Sequence, residues 1–107
     1  MDFFTLLTIK LKKMSTVGTV IVSQEFTKLN DLMNEQLNGA TISESLKYSF
    51  QNQSQGTMFF YDGDGAEIES SEMLLPYLTA DYQKGMYDLW VCTNANGKAQ
   101  LSIMDNQ

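Results

Sequence analysis

Histidine and arginine are both absent from the 107 residues, and lysine supplies all seven cationic side chains. Histidine is the usual general base near neutral pH and the usual transition-metal ligand, so its absence excludes Ser–His and Cys–His catalysis and histidine-based zinc sites. Arginine is the planar clamp that binds phosphate and carboxylate through two hydrogen bonds. Lysine would have to replace arginine in any phosphoryl-transfer or nucleic-acid site, and it is a weaker substitute.

Cysteine and proline occur once each, as Cys92 and Pro76. A single cysteine excludes an intramolecular disulfide framework and gives no reason for an oxidising compartment, so we expect a cytoplasmic protein. The apolar stretch from Phe3 to Leu11 follows Asp2 and is interrupted by lysine, which is the wrong order for an export signal. It is also far shorter than the roughly 20 residues of a membrane span. The sequence therefore predicts no membrane association.

Negative charge dominates after the first 13 residues. The formal net charge is −6, and residues 1–13 carry three Lys and one Asp, for +2, which leaves −8 for the remainder. Such a field repels nucleic acid and attracts basic surfaces. We therefore expect no direct binding of nucleic acid, and a basic protein is one class of partner.

The chain has the length and apolar content of one globular domain. It is 43% hydrophobic, with six Phe, five Tyr and seven Met available to fill an interior. No repeat, proline-rich linker or low-complexity block marks a boundary, so residues 1–107 are predicted to form a single α+β domain. Residues 1–13 are interpreted either as an N-terminal extension or as an edge strand.

Two helices are predicted from the spacing of apolar residues. Ser23 is a suitable N-cap, and apolar positions from Phe26 to Leu37 recur every three or four residues, which predicts a long amphipathic helix over about 24–38. Gly39 supplies its stop. A second helix is predicted over about 71–83, short and broken at its proline.

The remaining segments indicate a mainly antiparallel sheet of about five to seven strands, packed against these helices. Segment 42–51 is ambiguous because Thr41 to Glu44 fits a helix-capping box, whereas Leu46 to Gln51 alternates apolar and polar side chains. We interpret it as a strand after a short turn. The turn residues of Asp62–Gly65 and Asn96–Gly97 predict a meander over 46–69 and a C-terminal hairpin.

Two motifs suggest chemistry but have simpler explanations. The acidic segment Asp62–Gly65, with Glu67 and Glu69 after it, lacks the ligand spacing of an EF-hand, so we interpret it as a solvated hairpin turn and predict no metal or cofactor. Cys92 continues an alternating strand without a histidine to activate it. It is expected to be a buried, inert thiol, with a nucleophile as the alternative.

Aromatic residues concentrate in the predicted strands, and four of them are candidate ligand-binding or interface residues: Tyr48, Phe60, Tyr87 and Trp90. Tyrosine and tryptophan carry polar tips and are common at interfaces and pocket walls. The aromatic strands therefore predict either a pocket or dimer surface, or part of the core.

These observations favour a small acidic binding protein that is not an enzyme. One hypothesis is a neutral or cationic amphipathic ligand in an aromatic-lined pocket, or action through a protein interface such as a homodimer. The alternative is an inhibitor, immunity-like or DNA-mimicking protein whose acidic surface docks on a basic partner. An enzyme that uses only Tyr, Asp, Glu, Lys or Ser is physically allowed, but nothing in the sequence marks such a constellation.

Overall fold

The computed structural model describes residues 14–64 and 71–106. Their elements follow in chain order: β1 Met14–Val22, β2 Thr27–Lys28, α1 Leu29–Gln36, β3 Lys47–Gln53, β4 Met58–Gly63, β5 Glu72–Leu74, β6 Thr79–Gln83, β7 Asp88–Thr93 and β8 Ala99–Asn106. The described part is therefore mostly β-structure.

The strands form two four-stranded sheets that face each other as a sandwich. Sheet I has the order β1-β8-β3-β6, sheet II has the order β2-β7-β4-β5, and every pairing is antiparallel. The two orders place β5 and β6 at the same edge of the sandwich, and β1 and β2 at the other. Aligned packing of this kind buries one face of each sheet.

Alternation of side chains along each strand supplies the core between the sheets. In β7, Leu89 and Val91 are buried in it, and in β8 Leu101 and Ile103 are fully buried. The core as a whole contains Val20, Val22, Leu29, Leu32, Met33, Ile42, Tyr48, Phe50, Met58, Leu74, Leu89, Val91, Ala95, Ala99, Leu101 and Ile103. Both sheets and α1 contribute to it.

Helix α1 covers the edge of the sandwich formed by β1 and β2. Its buried side chains are Leu29, Leu32 and Met33. Beyond them, the Ile21 N–H donates to Oε1 of Gln36 at 2.7 Å, and Nε2 of Gln36 donates to the Ile21 carbonyl at 3.0 Å. The glutamine amide thus pairs with the outer backbone groups of β1 as a neighbouring strand would.

The predicted long helix over 24–38 is wrong, because only Leu29–Gln36 is helical. Ser23 does not cap it: Ser23 Oγ donates to the Glu25 carbonyl at 3.1 Å in a local turn. Residues 27–28 instead pair with β7 as strand β2, and this long-range pairing overrides the local helical spacing. The helix ends before Gly39, which has a φ of 86°.

The predicted broken helix over 71–83 is also wrong. This segment forms strands β5 and β6, which pair with β4 and β3 respectively. Pro76 lies instead in a turn between these strands, where the Leu78 N–H donates to the Leu75 carbonyl and Tyr77 has a φ of 62°. Proline favours the second position of such a turn.

The predicted sheet of about five to seven strands is wrong as well, because the described residues form eight strands in two sheets. The strands expected within 16–22, 42–51, 57–61, 86–92 and 99–104 correspond to β1, β3, β4, β7 and β8. However, β3 and β4 lie in different sheets, as do β7 and β8, so neither the meander nor the C-terminal hairpin forms. The segments 1–13 and 66–69, with Glu67 and Glu69, lie outside the described residues.

Two of the connections between the sheets, the loops after β3 and after β7, touch at one end of the sandwich. A Cβ on Gly56 would lie 2.6 Å from the Ala95 nitrogen and 2.5 Å from its Cβ. The Thr57 N–H donates to Oδ1 of Asn94 at 2.8 Å, which binds the same two loops. Only glycine therefore fits at position 56.

Across the described residues, no helix is long and apolar enough to cross a membrane.

Replacing Gly56 by alanine should destabilise the fold by about 2 kcal/mol, because the new methyl group overlaps backbone atoms of Ala95. The matched control is Gly85→Ala, where an added Cβ meets nothing within 4 Å. Urea denaturation of both variants measures the difference. Equal stabilities would contradict this close packing of the two loops.

Candidate functional site

A groove of about 390 Å³ opens between the sheets at the edge formed by β5 and β6. Its lining residues are Phe50, Phe60, Tyr61, Asp62, Glu72, Met73, Leu74, Ala80, Asp81, Tyr82 and Leu89. The strand registers pair Phe60 with Glu72, and Phe50 with Ala80. Because paired residues share a face of a sheet, these four side chains turn towards the facing sheet. We refer to this space as the groove.

Three aromatic rings from both sheets form the floor of the groove. Phe50 of sheet I stacks on Phe60 of sheet II, with ring centroids 5.7 Å apart and planes 4° from parallel. Tyr82 of β6 stacks on Phe50 at 5.5 Å. Phe50 is buried, whereas Phe60 and Tyr82 are half-buried. The stack therefore belongs to the core on one side and reaches solvent on the other.

One hydrogen bond between the sheets spans the groove. Tyr82 Oη donates to Oδ2 of Asp62 at 3.2 Å, which joins β6 of sheet I to β4 of sheet II. Burial raises the pKa of Tyr82 above its ordinary value of 10, and the charge of Asp62, the hydrogen bond to it and the charge of Asp88 raise it further. The phenol is therefore protonated at neutral pH and acts as a donor, not as a base.

Carboxylates at the groove come from Asp62 and Glu72, both exposed to solvent. Asp81 is also a lining residue of the groove, but its carboxylate is turned away from it. The register pairs it with Ser49 on the outer face of sheet I, where Ser49 Oγ donates to its Oδ1 at 2.9 Å. The groove thus combines an aromatic floor with two acidic groups at its rim.

Asn52 follows the groove residue Phe50 on the inner face of β3 and is fully buried. Its Nδ2 donates to the carbonyls of Gly56, at 2.8 Å, and Leu74, at 2.9 Å. Its Oδ1 accepts from the Ser54 N–H at 3.0 Å and from Ser54 Oγ at 2.6 Å. One side chain therefore ties β5 to the loop between β3 and β4.

The four residues predicted as a site do not come together. Phe60 lines the groove. Tyr48 is a core residue, 3% exposed, and its Oη accepts a hydrogen bond from the Ser43 N–H at 2.7 Å. Tyr48 pairs with the groove residue Tyr82 in the strand register. Its hydroxyl is already hydrogen-bonded within the fold.

Tyr87 and Trp90 lie away from the groove. Tyr87 is 50% exposed in the loop between β6 and β7, where its carbonyl accepts from Nζ of Lys84 at 2.9 Å. Trp90 is half-buried and its Nε1 donates to the Gly63 carbonyl at 3.1 Å. Lys28 Nζ lies 5.5 Å from the centroid of the Trp90 ring. The indole is therefore already engaged with its own chain.

Sequence reasoning missed Tyr82, Asp62 and Glu72 as partners of Phe60. The assignment of 71–83 to a helix hid the period-two pattern by which Ala80 and Tyr82 share one face of β6. Asp62 was interpreted as part of a turn, whereas it is the fifth residue of β4. Treating residues 79–83 as a strand would have placed Tyr82 on the inner face of the sheet.

Cys92 is buried, and this burial raises the pKa of its thiol above the ordinary value, so the reactive thiolate is disfavoured. No three acidic or cysteine side chains converge in a metal-binding group within residues 14–64 and 71–106. A second depression, of about 530 Å³, lies among polar loop residues at 53–56 and 94–98. It lacks the convergent aromatic floor of the groove.

Comparison of the chain with protein-family models, with curated proteins and with solved structures finds no match. The interpretation of the groove therefore rests on its own geometry and chemistry.

An alkaline titration followed by absorbance at 295 nm should show a late step, from a tyrosine that ionises above the ordinary pH. In Tyr82→Phe this late step should be missing. Below pH 10, the ordinary tyrosine pKa, the folded and unfolded chains hold the same proton at this site. Above it the unfolded chain loses that proton first, so the contribution of Tyr82 to stability falls as pH rises. The control Tyr77→Phe changes an exposed ring outside the groove and should retain the late step. A late step that survives in Tyr82→Phe would contradict the burial and bonding described.

Proposed function

We propose that the protein is a non-catalytic binding protein whose site is the groove, and that it prefers cationic to neutral amphipathic ligands. The observation that carries the proposal is the stack of Phe50, Phe60 and Tyr82 directly beside the carboxylates of Asp62 and Glu72. An apolar floor with a few convergent polar groups is the usual composition of a small-molecule site.

The dimensions of the groove fit a small organic ligand. A volume of about 390 Å³ falls at the lower end of the range of roughly 300 to 1,000 Å³ for such sites. Apolar contact with Phe60 would hold the hydrocarbon part of the ligand, since the exposed part of this ring leaves water on binding. The ligand class is therefore amphipathic rather than fully polar.

The charge at the rim sets the preference for a cation. Asp62 accepts one hydrogen bond, from Tyr82, and a carboxylate has about four acceptor positions, so it can also accept from an ammonium group. Glu72 lies on the neighbouring strand, opposite Phe60. A carboxylate or phosphate ligand would be repelled by both groups, and the chain has no arginine to receive it.

Phenylalkylammonium ions are the direct probes, compared with phenylalkanols and phenylalkanoates of the same chain length. We expect binding in the order ammonium, alcohol, carboxylate, measured by isothermal titration calorimetry. Asp62→Asn should lower the affinity for the ammonium ion by roughly fivefold, because an exposed ion pair contributes about 1 kcal/mol. Its matched control is Asp31→Asn, an exposed carboxylate on α1.

The aromatic floor is tested separately with the phenylalkanol probe. Phe60→Ala should weaken binding of the alcohol, because apolar contact surface is lost, whereas Tyr87→Ala should leave the affinity unchanged. Failure of all three classes of probe to bind, or equal effects of Phe60→Ala and Tyr87→Ala, would contradict the proposal.

A further inference from the structure

Strand β6 ends sheet I beside the groove. Among the described residues it pairs only with β3. Hydrogen-bonded and non-hydrogen-bonded residues alternate along an antiparallel pair. Since the Asn52 N–H donates to the Leu78 carbonyl at 3.0 Å, the register leaves the backbone groups of Thr79, Asp81 and Gln83 directed away from β3.

Within residues 14–64 and 71–106, the opposite edge of sheet I is covered in a way that β6 is not. There the amide of Gln36 satisfies both the N–H and the carbonyl of Ile21, and α1 packs beside β1. Proteins commonly protect an edge with a covering helix or with a charged side chain on the strand. Asp81 is the one charged residue in β6, and its carboxylate is held on the outer face of sheet I by Ser49. It is therefore used in the sheet rather than across the edge.

Exposed apolar side chains concentrate next to this edge. Four of the eight large exposed hydrophobic residues in the described chain lie within residues 73–78. They are Met73, Leu75, Tyr77 and Leu78, which are 67%, 51%, 60% and 53% exposed. An exposed apolar group beside an unpaired strand is typical of surfaces that receive an extended peptide, in which backbone hydrogen bonds give affinity and side-chain pockets give specificity.

The charges around the edge select the partner. Asp62, Glu72 and Asp81 lie on or beside the groove, whereas the ammonium group of the adjacent Lys84 donates to the carbonyls of Gly85 and Tyr87. A basic strand complements this arrangement. A second copy of the chain does not, because antiparallel pairing of β6 with itself about its central residue would place two Asp81 residues opposite each other.

We propose that β6 is the docking edge for an extended basic segment of a partner protein, which adds to sheet I as a further strand. The segment pairs with the outward backbone groups of Thr79, Asp81 and Gln83 and contacts the apolar residues at 73–78. Its inward-facing side chains enter the groove past Ala80, and this part of the inference rests on the proposed function.

A peptide of alternating lysine and valine, nine residues long and blocked at both ends, tests the docking edge in the full-length protein. Its amides are N-methylated in two versions, at the lysines or at the valines, so that each version blocks one edge of the peptide strand. We expect one version to bind at least tenfold more weakly than the parent peptide and the other to bind within about twofold. Fluorescence anisotropy gives the affinities, and NMR amide shifts in β6 give the location.

Charge is tested with Glu72→Lys, which should weaken binding of the parent peptide several-fold and strengthen binding of the same peptide with glutamate for lysine. Glu35→Lys, at an exposed position on α1, is the matched control and should change neither. Equal binding of both methylated peptides and the parent would overturn the proposal. Self-association through β6 would also overturn the proposal. It would be seen by sedimentation, and as NMR amide shifts in β6 that disappear when the protein is diluted.

The two proposals fail in different ways. Binding of phenylalkylammonium ions without binding of the peptide would overturn the docking edge and leave the proposed function of the groove standing. Peptide binding with β6 shifts, but with no binding of any phenylalkyl probe, would support the edge and contradict the groove as a small-molecule site.

Discussion

The buried amide of Asn52 is the contact on which the geometry of the groove depends. It donates to Gly56 and Leu74 and accepts from Ser54, while its own backbone binds Tyr77 and Leu78. The chain crosses from sheet I to sheet II after β3 and returns to sheet I after β5. Asn52 bonds to residues of both connections. A buried polar group costs free energy unless it is hydrogen-bonded. The complete set of partners of Asn52 therefore holds both connections in one conformation.

The two edges of the sandwich differ as a consequence. At the β1 edge, α1 and the amide of Gln36 complete the sheet. At the β5–β6 edge, Asn52 joins β3 to β5 through the Leu74 carbonyl, and Tyr82 bonds to Asp62 across the groove. Aromatic rings line the groove between the sheets. The phenol of Tyr82 is protonated at neutral pH, and its raised pKa extends the bond to Asp62 into the alkaline range. The proposed function and the proposed docking edge both follow from this asymmetry.

Residue pattern alone predicted the strands better than it predicted their partners. The alternation in β7 and β8 placed both strands correctly, but the Asn96–Gly97 turn was taken for a hairpin, whereas it joins different sheets. The apolar spacing after Ser23 suggested fifteen residues of helix, because the pairing of Thr27 and Lys28 with β7 leaves no local trace. Of the predicted site residues, Phe60 lies in the groove. Tyr82 was missed because its strand was assigned to a helix.

Amide hydrogen exchange in Asn52→Ala tests the central role of this residue most directly. Loss of the side chain removes the amide partner of the Leu74 carbonyl and of the Ser54 N–H, and it leaves the Gly56 carbonyl with Ser54 Oγ as its side-chain donor. Under conditions where the variant is folded, protection should fall mainly in β5 and β6, by at least tenfold more than in β1, β7 and β8, because local opening at this edge becomes easier. Protection that is unchanged in β5 and β6, or that falls equally in all strands, would contradict the account.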